Sequence, residues 1–158
     1  MDFSSFFEYT GTSQDDDLDD LIFLGSWSLA EWAKLLAYTE TRRFVAGEVI
    51  IHLGEVERSL YLVTEGELQI FMPFNEGKTL RPILNVVVGS IIGEQSFFDG
   101  LPRSAMVQAA SNGELMRLSL ESFQVLAARE PGLANDILFD LGRILSRRLR
   151  QTNALITS

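Results

Sequence analysis

A chain of 158 residues, 46% of them hydrophobic, has the length of one domain and enough apolar surface for a packed core, which excludes wholesale disorder. It has no cysteine, which excludes a disulfide scaffold, a thiolate metal site and a cysteine nucleophile and suits a reducing cytoplasm. The net charge of −9 is concentrated in residues 1–20, which hold seven acids and no Lys or Arg and leave 15 acids against 13 bases elsewhere; so acidic a chain is a poor partner for nucleic acid, whose binding rests on neutralising phosphates.

Residues 1–20 are expected to form a solvated acidic tail, with Phe3, Phe6, Phe7 and Tyr9 as the side chains able to dock on the body or on a partner. Neither a basic stretch leading into an apolar run nor a long apolar span is present, so no signal peptide or membrane helix is expected. Residues 21–158 make the domain. Its first helix is predicted to begin after Ser28, because Ser28-Leu29-Ala30-Glu31 has capping-box spacing. Ala30, Ala33, Leu36 and Ala37 are the expected inward stripe, with Leu29 or Trp32 beside it.

From about Arg42 to Leu120 the pattern changes to short apolar runs rich in β-branched and aromatic residues. The runs are 48–51, 60–63, 67–71, 83–88, 105–109 and 115–118. Breaks every ~8–12 residues are the spacing of an all-β barrel or sandwich. Gly47, Gly54, Gly66, Gly77 and Gly89 fall at those breaks, and Asn75-Glu76-Gly77-Lys78 reads as a hairpin tip. The fold class is therefore α+β, mainly β: a double-stranded β-helix (jelly-roll) barrel with flanking helices and a long C-terminal helix. After the barrel, Ser119 is positioned to cap a short helix that ends near Glu130-Pro131. A long helix is predicted over 133–156, about 35 Å at 1.5 Å per residue. Leu133, Ile137, Leu141, Ile144, Leu145 and Leu149 form its apolar stripe, and its excess length points to a partner helix.

The stretch 93–105, Gly-Glu-Gln-Ser-Phe-Phe-Asp-Gly-Leu-Pro-Arg-Ser-Ala, places a carboxylate and a guanidinium around one short turn. A carboxylate accepts hydrogen bonds from sugar hydroxyls, and a guanidinium grips a phosphate with paired N–H donors. Gln95-Ser96-Phe97-Phe98 is expected to form a helical turn whose first N–H groups face an anion. A buried Arg103 needs an anionic partner. Two partners are open on sequence alone, Glu94 or a bound phosphate.

The order of helix, glycine-punctuated barrel, Gly93-Glu94 turn, Arg103-Ser104-Ala105, short helix and long helix resembles the cyclic-nucleotide-binding domain of bacterial catabolite regulators and kinase regulatory subunits. Gly47-Glu48-Val49-Ile50, Ser59-Leu60-Tyr61-Leu62-Val63, Glu65-Gly66 and Gly89 belong to the same resemblance, which covers roughly residues 22–155. It implies a phosphate-binding cassette made by Gly93, Glu94, Gln95, Ser96, Arg103, Ser104 and Ala105. Glu94 would take the ribose 2′-hydroxyl, and Arg103 with Ser104 the cyclic phosphate. Gln95 departs from the aliphatic residue usual in that family. In the long helix the resemblance implies that Arg148 meets the cassette glutamate and that Thr152 and Asn153 reach the base, favouring cyclic AMP over cyclic GMP. For Arg143, Arg147 and Arg150 a solvated face near a helix C-terminus is the expected role.

The expected function is a cytoplasmic, non-enzymatic cyclic-nucleotide sensor, with cyclic AMP as ligand and no cofactor. It would form a homodimer through the C-terminal helix and act on a downstream protein, with no nucleic acid or membrane partner. The metal-dependent barrel enzymes of similar shape need clustered histidines, and this chain has only His52. The alternatives are a ligand-free interaction module and the sensor fragment of a transcription regulator. The chain stops at Ser158, just past the long helix, which suits either a free-standing sensor or a fragment; Met1 and the acidic tail favour the former.

Overall fold

The computed structural model describes residues 22–157, so the acidic tail and its aromatic residues lie outside the described residues. The elements run α1 (Leu29–Leu36), β1 (Glu40–Phe44), β2 (Val49–Ile51), β3 (Ser59–Glu65), β4 (Leu68–Phe74), β5 (Thr79–Val86), β6 (Ile91–Ile92), α2 (Glu94–Asp99), β7 (Met106–Ala109), β8 (Gly113–Ser119), α3 (Leu120–Arg129) and α4 (Pro131–Thr157). The strands form two four-stranded sheets, ordered β1-β8-β3-β6 and β2-β7-β4-β5. Every pairing is antiparallel. This is the jelly-roll expected from the punctuated apolar runs.

Strand β3 explains why the core has two layers. Successive strand side chains point to opposite faces, and six of its seven residues are buried. Tyr61 and Val63 face the barrel interior with Ile92, Val107 and Leu115. Leu60 and Leu62 face the other way, onto a layer built from α1, α3 and α4 around Trp32, Phe123, Ile137 and Leu141. A strand covered on both faces has to be continuously apolar, which is why Ser59–Glu65 shows no polar alternation.

Local signals are realised at the element ends. Ser28 accepts from Glu31 N while Glu31 accepts from Ser28 N, the reciprocal pair of a capping box. The Ser119 hydroxyl accepts from Ser122 N at the start of α3. At the 75–78 hairpin tip, Asn75, Glu76 and Gly77 have φ of 53°, 58° and 82°. Asn75 and Gly77 are residues that tolerate that region best, and they flank Glu76, which adopts it as well.

Several details differ from the sequence expectation. Helix α1 buries Trp32 and Leu35, whereas Leu29, Ala30, Ala33 and Ala37 are exposed. The two indoles pack edge to face with centroids 5.6 Å apart (Trp27 against Trp32), so large aromatic area outcompetes the alanine stripe. Strand β1 starts at Glu40 and β6 is only two residues long; neither carries a run long enough to read. Helix α4 begins at Pro131, whose fixed φ and missing N–H suit a first helical position. Ile137, Leu141 and Ile144 are fully buried on it as expected, but Leu149 is 60% exposed.

Candidate functional site: the turn between β6 and β7

Strand β6 delivers the chain to Gly93, which adopts φ +83° and turns it into α2. Only glycine fits this corner. A Cβ there would stand 2.6 Å from Arg103 Nη1 and 2.8 Å from the Ser59 carbonyl oxygen. Within α2, Glu94, Ser96 and Phe97 are buried, while Gln95, Phe98 and Asp99 face solvent. The Phe97 ring anchors the helix, packing edge to face on Phe123 of α3 at 5.7 Å. Gly100, with φ +70°, ends α2 by donating to Ser96 O.

The loop after α2 is pinned to the β2–β3 connection. Arg103 N donates to Glu55 O and Gly54 N donates to Arg103 O, both at 2.8 Å. This fixes the backbone of Arg103 and turns its side chain inward, where it is 4% exposed. Nη1 donates to Gly93 O at 2.8 Å and Nη2 to Ser59 O at 2.9 Å. Nε is buried without a partner. The only acceptors on this guanidinium are neutral carbonyls: among the described residues no carboxylate pairs with it.

Glu94 has a different partner. Its Oε1 forms an ion pair with Arg148 Nη1 at 2.5 Å, and Arg148 Nη2 donates to Ile91 O at 2.7 Å. Helix α4 is thereby tied to the start of α2 and to the strand that delivers it. The pairing of Glu94 with Arg103, open on sequence alone, does not occur. The remaining candidates are placed less centrally. Ser104 is exposed and its hydroxyl donates to Gln95 Oε1 at 3.3 Å, so this departure from the family pattern sits at the rim. Ser96 is buried and Ala105 half-buried. Thr152 is exposed and bonds within its own helix, to Arg148 O at 3.0 Å; Asn153 is exposed beside it. The solvated role expected for the other α4 arginines fails at Arg143, which is half-buried, donates to Ile22 O and pairs with Asp140.

Two features carried no sequence signal. The Ser59 acceptor is a backbone carbonyl, which no side chain announces. Beside it lies a charge cluster joining β3, β8 and the loop before β3: Tyr61 Oη donates to Glu57 at 2.9 Å, and Arg117 Nε donates to the same carboxylate at 2.9 Å. Burial pushes the Glu57 carboxyl up, but the bonds from Arg117 and Tyr61 outweigh it and hold the pKa below the ordinary 4.5. Burial, then the Glu57 charge, raises the Tyr61 phenol. Burial works against the Arg117 charge, yet Glu57 prevails and raises that pKa also. A carboxylate depressed on folding contributes stability that is complete above its unfolded value and lost as pH falls through its folded one. Glu57→Gln is therefore expected to flatten the stability–pH curve below pH 4.5, read by urea unfolding at stepped pH. An unchanged acid slope would remove Glu57 from the account.

His52 is exposed just past β2, and among the described residues no three His, Asp or Glu side chains gather where they could hold a metal ion. No helix among the described residues is long and apolar enough to cross a membrane.

Residues 41–130 match the cyclic nucleotide-binding domain family. The chain is 32% identical over 116 residues to a cAMP-dependent protein kinase regulatory subunit of Hypocrea atroviridis, covering 73% of this chain and 24% of that protein. It is 31% identical over 125 residues to the cAMP-activated global transcriptional regulator of Salmonella typhimurium, covering 78% of this chain and 56% of that one. It thus spans only part of the length of these relatives, from 24% to 56%. Among solved structures, a cyclic nucleotide-binding domain from Methylobacillus flagellatus superimposes with a TM-score of 0.77 at 26% identity, covering 96% of this chain and 84% of the other. With a jelly-roll closed by α3 and α4, a Gly93-Glu94 turn, and a buried arginine ten residues further on, the chain belongs to the cyclic nucleotide-binding domain family.

Proposed function

We propose that this domain is a cytoplasmic cyclic-nucleotide sensor that binds its ligand without transforming it, with cyclic AMP as the preferred ligand. The observation that carries the reading is Arg103, a buried guanidinium with no carboxylate partner among the described residues and an unsatisfied Nε. An uncompensated buried charge is costly, and a cyclic phosphate supplies the missing negative charge together with acceptors for the remaining N–H groups. Ser104, at the rim beside it, adds a hydroxyl donor once it leaves Gln95. Glu94 engages Arg148 through Oε1, which leaves Oε2 to accept from a ribose 2′-hydroxyl. That bond would also distinguish ribose from deoxyribose. Thr152 and Asn153, one turn past Arg148, are the groups that would meet the base when α4 closes over it.

Signalling follows from the Glu94–Arg148 pair, because a ligand hydroxyl on Glu94 changes the anchor that ties α4 to the cassette. Such a ligand shifts the position of α4 only by as much as its affinity differs between the two arrangements. The outer face of α4 exposes Leu138, Leu149 and Ile156, at spacings of a heptad seam. We assign it to a second copy of the chain, with a downstream protein reading the resulting dimer. The test is one calorimetric panel of cyclic AMP, cyclic GMP, cyclic di-GMP and 5′-AMP, with sedimentation of the same samples. Saturable binding of cyclic AMP in preference to the linear nucleotide supports the sensor. Failure of all four to bind, with a dimer still present, would make the domain an interaction module instead.

A further inference from the structure

Arg58, the last residue before β3, fell outside every sequence motif, yet it holds the far end of the cassette helix. Its Nε donates to Phe97 O at 3.1 Å and its Nη2 to Phe98 O at 2.5 Å. These are carbonyls at the end of α2, where a helix has no internal donors left to offer and where a cation is electrostatically favoured. The side chain lies along Gly100, close enough that a Cβ built on that glycine would stand 3.4 Å from Arg58 Cδ. On the other side the Arg58 carbonyl accepts from Leu120 N, the first residue of α3, at 2.9 Å. The adjacent Ser59 carbonyl accepts from Arg103 Nη2.

Two consecutive residues therefore bond the end of the cassette helix, the cassette arginine and the start of α3. We propose that Arg58 is a positioning residue: its fork locks the C-terminal end of α2 to the start of β3, so that the turn holding Gly93 and Glu94 keeps one position relative to Arg103. Six residues of helix between two glycines in left-handed conformation have little rigidity of their own, and α2 is such a segment. With its two ends fixed, Gly93 by the Arg103 guanidinium and Phe97–Phe98 by the Arg58 guanidinium, the cassette is held in shape before ligand arrives. The part of this proposal that concerns ligand rests on the cyclic-nucleotide reading; the part that concerns order in α2 does not.

The test compares the full chain with Arg58→Met, which keeps the aliphatic stem and loses both donors, and Arg58→Lys, which keeps the charge without the fork. Calorimetry with cyclic AMP is expected to give a Kd about tenfold weaker for Arg58→Met, the scale of losing bonds from a charged donor, with Arg58→Lys in between. Amide exchange of the ligand-free proteins is expected to quicken at Gly100 and Leu101, whose N–H groups bond to Ser96 O and Asp99 Oδ1 within this segment, while β3 and β8 keep their rates. An unchanged Kd in Arg58→Met overturns the proposal, and so does a uniform loss of protection, which would mark a general structural role. If the wild-type chain itself does not bind cyclic AMP, the functional reading fails, and exchange at Gly100 and Leu101 then decides the role of Arg58 alone.

Discussion

Arg103→Ala is expected to weaken cyclic AMP binding by more than ~2 kcal/mol, about 30-fold or greater, because it removes a buried cation that has no carboxylate partner among the described residues. The guanidinium is 4% exposed, so solvent does little to screen its attraction for a phosphate. Arg103→Lys should fall between: the charge remains, but a single ammonium cannot donate to Gly93 O, Ser59 O and a phosphate in the fixed directions a guanidinium offers. Calorimetric titration of the three proteins, with the ligand-induced rise in Tm as a second readout, gives the ranking Arg over Lys over Ala. Equal affinity across the three would place the anion elsewhere and remove the basis of the proposed site.

Gly93→Ala is expected to lower stability by about 2–4 kcal/mol, combining left-handed backbone strain with a clash. The clash is what singles this glycine out. The added methyl would meet a strand carbonyl at 2.8 Å, which cannot move without disturbing β3, and the Arg103 guanidinium at 2.6 Å. Gly100→Ala is the control: its φ of +70° imposes similar backbone strain, but its methyl would stand in ordinary van der Waals contact with Arg58 Cδ at 3.4 Å. Urea unfolding should show the Gly93 variant clearly below the Gly100 variant. Ligand affinity should also fall in the Gly93 variant, since the methyl displaces Arg103, the proposed phosphate partner. Equal destabilisation of the two would mean that Gly93 is required for its backbone angle alone.

The helix-to-barrel-to-helix order was legible because each signal is local. The Ser28 and Ser119 caps, the glycines at turns and the hairpin at 75–78 act within a few residues, and all of them appear in the structure. Short pairing segments were not legible. β6 is two residues long and owes its existence to Tyr61 and Leu62 opposite it, not to its own propensity. The inward face of α1 was read only in part for a related reason: Trp32 and Leu36 do pack on the core, but which stripe is buried depends on what the helix packs against, and Trp32 meets Phe23 and Trp27 while Ala30, Ala33 and Ala37 stay exposed.

The candidate site divides along the same line. A contiguous stretch of sequence, Gly93 through Ala105, was enough to establish that a carboxylate and a guanidinium share one turn, because proximity along the chain requires no knowledge of the fold. Their partners were another matter. Glu94 pairs with a residue 54 positions away, Arg103 rests on a carbonyl 44 positions back, and Arg58 reaches the end of α2 across 39. Such contacts exist only once β3, β6 and α4 have packed, since they involve backbone groups and long side chains whose sequence neighbourhoods are unremarkable. The amino-acid sequence alone determined which charges this turn carries; tertiary packing decided that the acid pairs with Arg148 while the base rests on two backbone carbonyls.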